Sequence, residues 1–497
     1  MKEAVIRGCI VGVGVLIQIL LSIFIYLFLI DKIFIIHFLF LFIQTIFIVY
    51  FIKYSKNYSQ TLPLIILLLF FPLLGTLICL IVVQNKNKSK LLKNIVESEK
   101  ENKKYFIHNG SEDLKKKSHL RYLTNYAGFP MTKRNNISYF SLGELAFNSM
   151  LENLEKAKEF IFLEYFIICP GTMWNKILEV LKRKVKEGVE VRVIYDDAGC
   201  IATLNKNYDK ELEKMGIKCI IFNKLHPISG VIMNNRDHRK ILVIDGKVAF
   251  SGGINLADEY ININSPYGHW KDNGIKVEGE AVWSYTVMFL TMWNAFKKDD
   301  SDFNKYKKED YKKIKENGIA IPYAETPLDN DQTGEDIYLN IINQAHEYVY
   351  IFTPYLIIDT DVINALILAS KRGVDVRLII PGIPDKKIVY TLSESYLEML
   401  IKGGVKIYKY TKGFVHGKVF ISDDKIATVG TINLDFRSLY LHFECGLYLE
   451  DVDCIKEIKK DFVETLKESH QVTEKEATPK FFKSIWQAIL RLFAPLM

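Results

Sequence analysis

The stretch His238-Arg-Lys-Ile-Leu-Val-Ile-Asp245 occurs a second time, at the same spacing, as His416-Gly-Lys-Val-Phe-Ile-Ser-Asp423. Both copies fit the pattern H-x-K-x-x-x-x-D, and an asparagine follows each histidine by seventeen residues, as Asn255 and Asn433. Two residues apart on a strand, the His and the Lys point to the same face. Each copy therefore predicts one imidazole beside one fixed cation.

The sequence around each copy is repeated as well. Strand-like runs at 160–165 and 189–195 alternate with helical stretches in the first half, and runs at 348–355 and 374–380 do so in the second. Strands that alternate with helices in this way are typical of βαβ units, whose sheets are covered on both faces. The chain is therefore predicted to be an α/β protein of two duplicated halves. The predicted boundaries are 136–300 for the first half, 301–330 for a charged linker and 331–475 for the second half.

The first 85 residues are of a different kind. Three runs free of Asp, Glu, Lys and Arg, at 8–30, 33–52 and 57–85, are each long enough to cross a bilayer core as a helix. A cleaved signal peptide is disfavoured because more apolar sequence follows at once, and a buried core helix is disfavoured because three such runs stand in tandem. We therefore predict a transmembrane segment of two or three helices at 1–85.

The residues that follow this segment predict its orientation. The lysine cluster at 86–93 outweighs the lysines of the preceding loop, which indicates a cytoplasmic body. Residues 86–135 are polar, as in a solvated linker or in a basic patch near anionic lipid. At the other end, 476–497 carries apolar residues at helical spacing. It is predicted to be an amphipathic helix that either docks on the body or lies in the membrane interface.

Composition narrows the classes of function. A net charge of +7 over 497 residues fits a protein near anionic lipid or nucleic acid and does not separate the two. The seven cysteines form no C-x-x-C pair, which agrees with a reducing compartment and offers no metal-ligand spacing. The sequence also lacks a P-loop, G-x-S-x-G and H-E-x-x-H. No cofactor and no metal are expected.

Paired histidines and lysines suit chemistry on an anionic group. One imidazole can act as nucleophile and a second as general acid and base. Two lysines, helped by the two asparagine amides, can hold phosphoryl oxygens and stabilise a pentacovalent state. A single motif supplies only one imidazole. The sequence therefore predicts that His238 with Lys240 and His416 with Lys418 meet across a pseudo-twofold interface.

A nucleophilic imidazole must be neutral and oriented, which requires an acceptor for its other ring nitrogen. Asp272 and Glu444 follow the two histidines by 34 and 28 residues, each just ahead of a predicted strand, and are the candidates for this role. The competing interpretation is a surface carboxylate. Asp245 and Asp423 lie seven residues from their histidines, an odd separation, so both are predicted to face away and to bind turn backbone.

These residues resemble those of the phospholipase D superfamily and, within it, the bacterial cardiolipin synthases. The residues that carry the resemblance are His238-Arg-Lys, Gly253-Ile-Asn255-Leu-Ala-Asp258-Glu259-Tyr260, Trp270-Lys-Asp272, His416-Gly-Lys, Gly430-Thr-Ile-Asn433 and Phe443-Glu444. The resemblance extends over essentially the whole chain. It implies two phospholipase-D-like α/β halves, each a mixed sheet flanked by helices, that share one pseudo-twofold site and follow N-terminal transmembrane helices.

The resemblance also implies a reaction. Two phosphatidylglycerol molecules would be converted at a cell membrane to cardiolipin and glycerol, without cofactor, metal or nucleic acid. By analogy His238 attacks phosphorus to form a phosphatidyl-histidine, and His416 protonates the leaving glycerol and then deprotonates the acceptor hydroxyl. The signature adds Lys240, Asp245, Lys418 and Asp423 to the catalytic set and assigns Asn255 and Asn433 to phosphate binding.

Two positions depart from the family pattern, and other functions stay open. Thr431 replaces the usual Ser, and His442 stands where Asn is common; we interpret His442 as packing or polar support. A hydrolytic phospholipase D would use water in place of the acceptor alcohol. A nuclease is disfavoured by the apolar segment and the lack of a dense basic groove signature. A scaffold with degenerate motifs is disfavoured because His, Lys, Asp and Asn are intact in both copies.

Overall fold

The structure, a computed structural model, describes residues 33–54, 58–85, 90–106, 117–224, 235–329 and 331–496, together with Leu16, Ile19, Leu20 and Ile23. The chain divides into two compact units. The smaller unit consists of Met1–Lys90, Leu225–Asn234 and Ala488–Met497, and the larger of Leu91–Lys224 and Asn235–Gln487. All of the predicted site residues belong to the larger unit.

The first half of the larger unit is built on a mixed sheet. The strands of this half are β1 (Asn135–Phe140), β2 (Phe160–Tyr165), β3 (Glu190–Asp196), β4 (Lys218–Phe222), β5 (Lys240–Ile244), β6 (Val248–Gly252), β7 (His269–Lys271) and β8 (Gly274–Gly279). All of them except β7 belong to the sheet. The sheet has the order β1-β8-β6-β5-β2-β3-β4. β2, β3 and β4 are parallel, and β2 pairs antiparallel with β5. The H-x-K strand β5 therefore lies in the middle of the sheet.

The second half repeats this plan. Its strands are β9 (Ile319–Glu325), β10 (Tyr348–Phe352), β11 (Leu356–Ile357), β12 (Asp375–Pro381), β13 (Lys406–Tyr410), β14 (Gly413–Val415), β15 (Val419–Ser422), β16 (Ile426–Gly430), β17 (Leu434–Asp435), β18 (Glu444–Glu450) and β19 (Ser469–Gln471). The main sheet has the order β19-β13-β12-β10-β15-β16-β18-β9, again with the H-x-K strand β15 in the middle. The predicted α/β architecture of two similar halves is confirmed.

Helices cover both sheets. In the chain from residue 90 onward they are Lys90–Asn102, Ser118–Arg121, Gly143–Glu155, Thr172–Lys186, Asp197–Cys200, Tyr208–Lys214, Val282–Phe296, Thr333–Gln344, Thr360–Lys371, Lys387–Glu394, Leu397–Lys402, Phe436–Tyr440, Cys454–Lys467, Glu474–Ala477 and Phe481–Leu492. The helix Val282–Phe296 packs on β2 and β5 of the first sheet and also contacts β9 of the second. It is apolar on most sides because it is buried between the two halves.

Two regions predicted to be linkers contain ordered elements. β9 falls inside the predicted linker 301–330 and pairs with β18 at the edge of the second sheet. Its Pro322 is tolerated there because an edge strand needs only one set of ladder hydrogen bonds. In the predicted linker 86–135, the helix Lys90–Asn102 packs on Val282–Phe296, where the Ser98 hydroxyl donates to the Thr291 carbonyl at 2.7 Å. These ordered parts of the two regions therefore belong to the folded body.

The smaller unit contains the helices Ile33–Tyr54, Tyr58–Phe70 and Pro72–Asn85. Phe51, Leu68 and Cys79 form a small buried cluster between them. The predicted transmembrane segment is not confirmed: within the part of the chain that the structure describes, no helix has both the length and the apolar character that a membrane span requires. Most of the first predicted run, 8–30, lies outside the described residues.

Candidate active site

The two halves meet where each H-x-K strand begins. The His238 amide donates to the Phe443 carbonyl at 2.9 Å, and the Phe443 amide donates to the Arg236 carbonyl at 2.8 Å. On the other side, β14 runs parallel to β7, and the His416 amide donates to the Lys271 carbonyl at 2.7 Å. Each catalytic segment is thus paired with the segment of the other half that leads to Asp272 or Glu444.

Because of this pairing, the carboxylate of each half contacts the histidine of the other half. His238 Nδ1 lies 2.8 Å from Glu444 Oε1, although 206 residues separate the two in sequence. His416 Nδ1 lies 2.7 Å from Asp272 Oδ2, across 144 residues. The structure therefore brings both predicted carboxylates to the imidazoles, but each one serves the histidine of the other half. An acceptor at Nδ1 leaves the Nε2 lone pair free for chemistry.

The two lysines lie beside the imidazoles in the same site. Lys240 Nζ donates to the His238 carbonyl at 2.6 Å, and Lys418 Nζ donates to the His416 carbonyl. Lys418 Nζ also lies 2.9 Å from His416 Nδ1. Both ammonium groups are almost fully buried. Two buried cations beside two imidazoles form a site suited to an anionic substrate.

The burial of these groups sets their protonation. Burial, followed by the charges of Lys240 and Lys418, lowers the pKa of His238 well below its usual value. Burial and Lys418 lower the pKa of His416 to about 4, although Asp272 opposes them. Burial also lowers the pKa of Lys240 to about 8 and that of Lys418 to about 7. In the enzyme without substrate, both imidazoles are therefore neutral at neutral pH, as a nucleophile must be.

The carboxyl group that faces His416 is held ionised. Burial alone would raise the pKa of Asp272, but His416 and Lys418 outweigh it, so that this pKa lies below its usual value. The Asn273 amide donates to Asp272 Oδ1 at 2.8 Å and fixes its orientation. An ionised carboxylate at Nδ1 stabilises the imidazolium that a general acid must form.

The two asparagines predicted to bind phosphate differ in their hydrogen bonds. Asn255 is fully engaged within the protein: its Oδ1 accepts from the Ile167 amide at 3.0 Å and its Nδ2 donates to the Tyr260 hydroxyl at 2.7 Å. The buried Oδ1 of Asn433 has no hydrogen-bond partner among the described residues. The contacts of Asn255 thus give it a structural task, and phosphate binding by either asparagine stays a prediction.

The two motif aspartates lie at the far ends of the H-x-K strands. Asp245 accepts hydrogen bonds from the amides of Lys158, Glu159 and Phe160 at 2.8, 2.8 and 2.9 Å. Asp423 makes the matching three contacts with the amides of residues 346–348. These contacts confirm the prediction that both carboxylates bind backbone: they hold the start of a neighbouring strand. The catalytic role that the resemblance implies for Asp245 and Asp423 stays a prediction.

Three further residues support the imidazoles, among them His442, which was predicted to give packing or polar support. The Trp270 ring packs on His416 with ring centroids 5.2 Å apart, and the His442 ring packs on His238 at 5.6 Å. The Thr431 hydroxyl donates to Glu444 Oε2. Aligning the two halves on Asp272 and Glu444 places Trp270 opposite His442. That alignment, available from the sequence, is the signal that would have identified this pair.

One group of possible metal ligands occurs in the site. Single donor atoms of His238, His442 and Glu444 all lie within 4.8 Å of one another. The buried lysines Lys240 and Lys418 oppose a cation there. The expectation of a metal-free reaction stays a prediction.

Comparison with known proteins decides the family. A family model described as "Cardiolipin synthase, PLD-like domain" matches residues 150–293 and 338–466. The chain belongs to this family. An uncharacterised protein of Streptococcus mutans is 46% identical over 458 residues, which cover 90% of this chain and 99% of that protein. A cardiolipin synthase of Alkalihalophilus pseudofirmus is 33% identical over 455 residues, which cover 89% of this chain and 90% of that protein.

A solved structure shares the fold. The crystal structure of a phosphatidylserine synthase from Haemophilus influenzae matches 76% of this chain and 97% of its own chain, with a TM-score of 0.57 and 15% identity. The predicted resemblance to the phospholipase D superfamily and its bacterial cardiolipin synthases is thus confirmed. As a member of this family, the chain is an enzyme of the phosphatidyltransferase class.

Proposed function

We propose that the enzyme is a cardiolipin synthase, which transfers the phosphatidyl group of one phosphatidylglycerol to a second and releases glycerol. The observation that carries this proposal is the pair of crossed contacts, His238 with Glu444 and His416 with Asp272. They supply two neutral imidazoles with free Nε2 atoms, as a double displacement at phosphorus requires. Cardiolipin synthases among the relatives support the choice of lipid.

The first half-reaction forms the covalent intermediate. His238 Nε2 attacks phosphorus, the bond from phosphorus to the glycerol oxygen breaks, and His416 gives its Nε2 proton to that oxygen. His416 must be protonated for this step, whereas burial keeps it neutral in the free enzyme. The charge of the bound phosphodiester raises the pKa of His416, because an anion in a buried site stabilises the imidazolium. Lys240 and Lys418 stabilise the charge that grows on the phosphoryl oxygens.

The second half-reaction returns the enzyme to its starting state. His416, now neutral, takes the proton of the terminal hydroxyl of a second phosphatidylglycerol. The alkoxide oxygen bonds to phosphorus, the bond from phosphorus to His238 Nε2 breaks, and cardiolipin leaves. Water in place of this hydroxyl would give phosphatidic acid, as in a hydrolytic phospholipase D.

We also propose that the enzyme works at the cell membrane, with two or three spans before residue 85 and a cytoplasmic body. The three uncharged runs and the lysine cluster at 86–93 support this topology. Exposed Phe34, Phe38 and Phe42 of the helix Ile33–Tyr54 also support it, since such side chains are stable in lipid and costly in water.

The test is product analysis with the full-length enzyme in vesicles of phosphatidylglycerol. Cardiolipin and glycerol are expected in equal amounts, without added nucleotide or metal, and a chelator should leave the rate unchanged. If phosphatidic acid were the only lipid product, the enzyme would be a hydrolytic phospholipase D and the proposal would be wrong. His238→Ala and His416→Ala serve as controls, and each should lower the rate by a factor of about 10³ or more.

A further inference from the structure

The helix Phe481–Leu492 turns its polar side toward the protein. Lys483 Nζ lies 2.8 Å from Glu394 Oε2, and Gln487 Nε2 donates to the Thr391 carbonyl at 3.3 Å. Both acceptors belong to the helix Lys387–Glu394. The side of the helix that carries Lys483 and Gln487 is therefore the side attached to the body.

The apolar side faces outward. Phe481 is 73% exposed and Phe482 83% exposed, and Ile485 and Trp486 are both nearly half exposed. A helix on a water-covered surface has the opposite arrangement, with its apolar stripe buried and its polar stripe in solvent. Four large apolar side chains together, held outward by polar contacts behind them, indicate a partner that is not water.

The surroundings of the helix indicate what this partner is. Ile388 on the neighbouring helix is also exposed, and Lys386, Lys387 and Lys480 lie exposed around it. Phe, Trp and Ile on one face with lysines at the margin are typical of helices that lie in the interface of anionic membranes. A hydrophobic protein interface would not require the surrounding lysines, whereas an anionic lipid surface attracts them.

The same helix pair is connected to the catalytic site. Lys386, which precedes the helix Lys387–Glu394, has its Nζ 5.8 Å from the centre of the Tyr355 ring. Tyr355 contacts the Phe414 ring at 6.2 Å, and Phe414 in turn contacts His416 at 6.0 Å. Burial is the main cause of the lowered pKa of His238, and the charge of Lys386 makes a smaller contribution to it. Lys386, at the start of the helix Lys387–Glu394, and His416 are therefore joined through a short series of ring contacts.

The chain beyond this helix ends in the apolar smaller unit. Within that unit, Ala494–Leu496 packs against the helix Tyr58–Phe70. Residues 494–496 thus lie against a helix of the segment for which we propose a membrane location.

We propose that Phe481, Phe482, Ile485 and Trp486, together with Ile388, form a lipid-contact surface that lies in the interface of an anionic phospholipid bilayer. The surface holds the active site close to the headgroup layer, where the phosphodiesters of the lipid lie. The inference rests on the proposed function for the identity of the lipid, but the surface itself is tested separately.

The first test measures contact with lipid directly. The full-length enzyme is placed in vesicles of phosphatidylglycerol whose acyl chains carry bromine near the headgroup, which quenches the fluorescence of nearby tryptophan. Part of the emission of the five tryptophans should be quenched, and Trp486→Phe should remove most of that quenched part. Equal quenching in wild type and Trp486→Phe would overturn the proposal.

The second test separates lipid contact from chemistry. Phe482→Glu and Ile485→Glu should each lower turnover of phosphatidylglycerol in bilayers about tenfold or more, since each removes one apolar side chain from lipid. Turnover of a short-chain phosphatidylglycerol, dispersed below its micelle concentration, should be unchanged. Ser484→Glu is the matched control, because it adds the same charge on the polar side of the same helix and should leave both rates unchanged.

The outcomes distinguish the two proposals. If wild type fails on both substrates, the proposed function is wrong. If all three variants turn over bilayer lipid at the wild-type rate, the surface is not a lipid contact. Loss of self-association in detergent for Phe482→Glu, with unchanged bilayer turnover, would show that the face instead joins two copies of the chain.

Discussion

The two imidazoles are held by the same geometry but by different neighbours. His416 faces Asp272 and packs on Trp270, whereas His238 faces Glu444 and packs on His442. These are corresponding positions of the duplicated halves, so the fold has kept the crossed contacts while the side chains diverged.

The difference extends to the residues behind the two carboxylates. At Gly253 an added Cβ would lie 2.0 Å from Asp272 Oδ1, so the first half has no room for a side chain there. The corresponding Thr431 of the second half uses its hydroxyl to bind Glu444. One carboxylate is therefore fixed by close backbone, and the other by a side-chain hydroxyl. Burial lowers the pKa of both imidazoles, but Asp272 opposes this effect at His416. On this ground we propose that His416 carries the proton and that His238 remains the neutral nucleophile.

The largest expected effects come from the crossed carboxylates. Glu444→Gln and Asp272→Asn should each lower kcat by on the order of 10³-fold, because the amide no longer stabilises the imidazolium or the correct tautomer. Initial rates with dispersed phosphatidylglycerol measure the loss. If Asp272→Asn slowed the first-turnover release of a good leaving group as severely as Glu444→Gln does, the assignment of the two sides would be wrong.

The pH dependence follows from the lysines and the imidazoles. As pH rises through about 7 and then about 8, Lys418 and Lys240 lose the protons that bind phosphate, so kcat/KM should fall on the alkaline side. The bound phosphodiester raises both lysine pKa values, so the decline in kcat should begin at higher pH. On the acid side, protonation of His416 in the free enzyme becomes important only near its pKa of about 4.

A matched variant tests whether Lys418 causes the alkaline decline in kcat/KM. Lys418→Arg keeps its charge at high pH because a guanidinium does not titrate there. It should be less active at pH 7 but should lose the lower part of the alkaline decline in kcat/KM. An unchanged profile in Lys418→Arg would mean that another group titrates.

A smaller effect is expected at Thr431, the position that distinguishes the two carboxylates most clearly. Thr431→Val removes the hydroxyl that donates to Glu444 and should lower kcat about tenfold, the ratio expected for a lost hydrogen bond to a charged group. Thr431→Ser keeps the hydroxyl and should stay close to wild type. Equal rates for the Val and Ser variants would show that Glu444 needs no such support.

The smallest effect on catalysis is expected at the motif aspartates. Asp245→Asn weakens three hydrogen bonds from backbone amides and should lower the free energy of unfolding by about 1–3 kcal/mol. The kcat of the folded fraction should remain near wild type, as measured beside thermal unfolding in detergent. A loss of kcat as large as that of Glu444→Gln, with normal stability, would restore a catalytic role.

The sequence predicted the residues of the site better than their connections. The repeated H-x-K strings predicted that two halves share one site, and the carboxylates were predicted as partners of the imidazoles. The exchange of partners was not predictable, because Asp272 and Glu444 are far closer in sequence to the histidines of their own halves. Only the pairing of His238 with Phe443 and of β14 with β7 produces the exchange.

Two elements that the sequence did not predict, β9 and the helix Lys90–Asn102, also have local causes. β9 was missed because Pro322 disfavours an interior strand and the surrounding segment is charged, yet an edge strand accepts both. The helix Lys90–Asn102 was missed because most of its surface is polar, and only its contact with Val282–Phe296 makes it part of the body. Neither cause can be read from a pattern of apolar residues, since each depends on the neighbour that the segment meets.

We propose that the two crossed imidazoles have different tasks, with His238 as nucleophile and His416 as acid and base. This assignment can be tested by rapid mixing with a phosphatidyl ester of p-nitrophenol, whose nitrophenolate leaves without protonation. His416→Ala should still release a burst of one nitrophenol per enzyme and accumulate a phosphatidyl-protein, while His238→Ala should show neither. A burst from His238→Ala and none from His416→Ala would contradict the account.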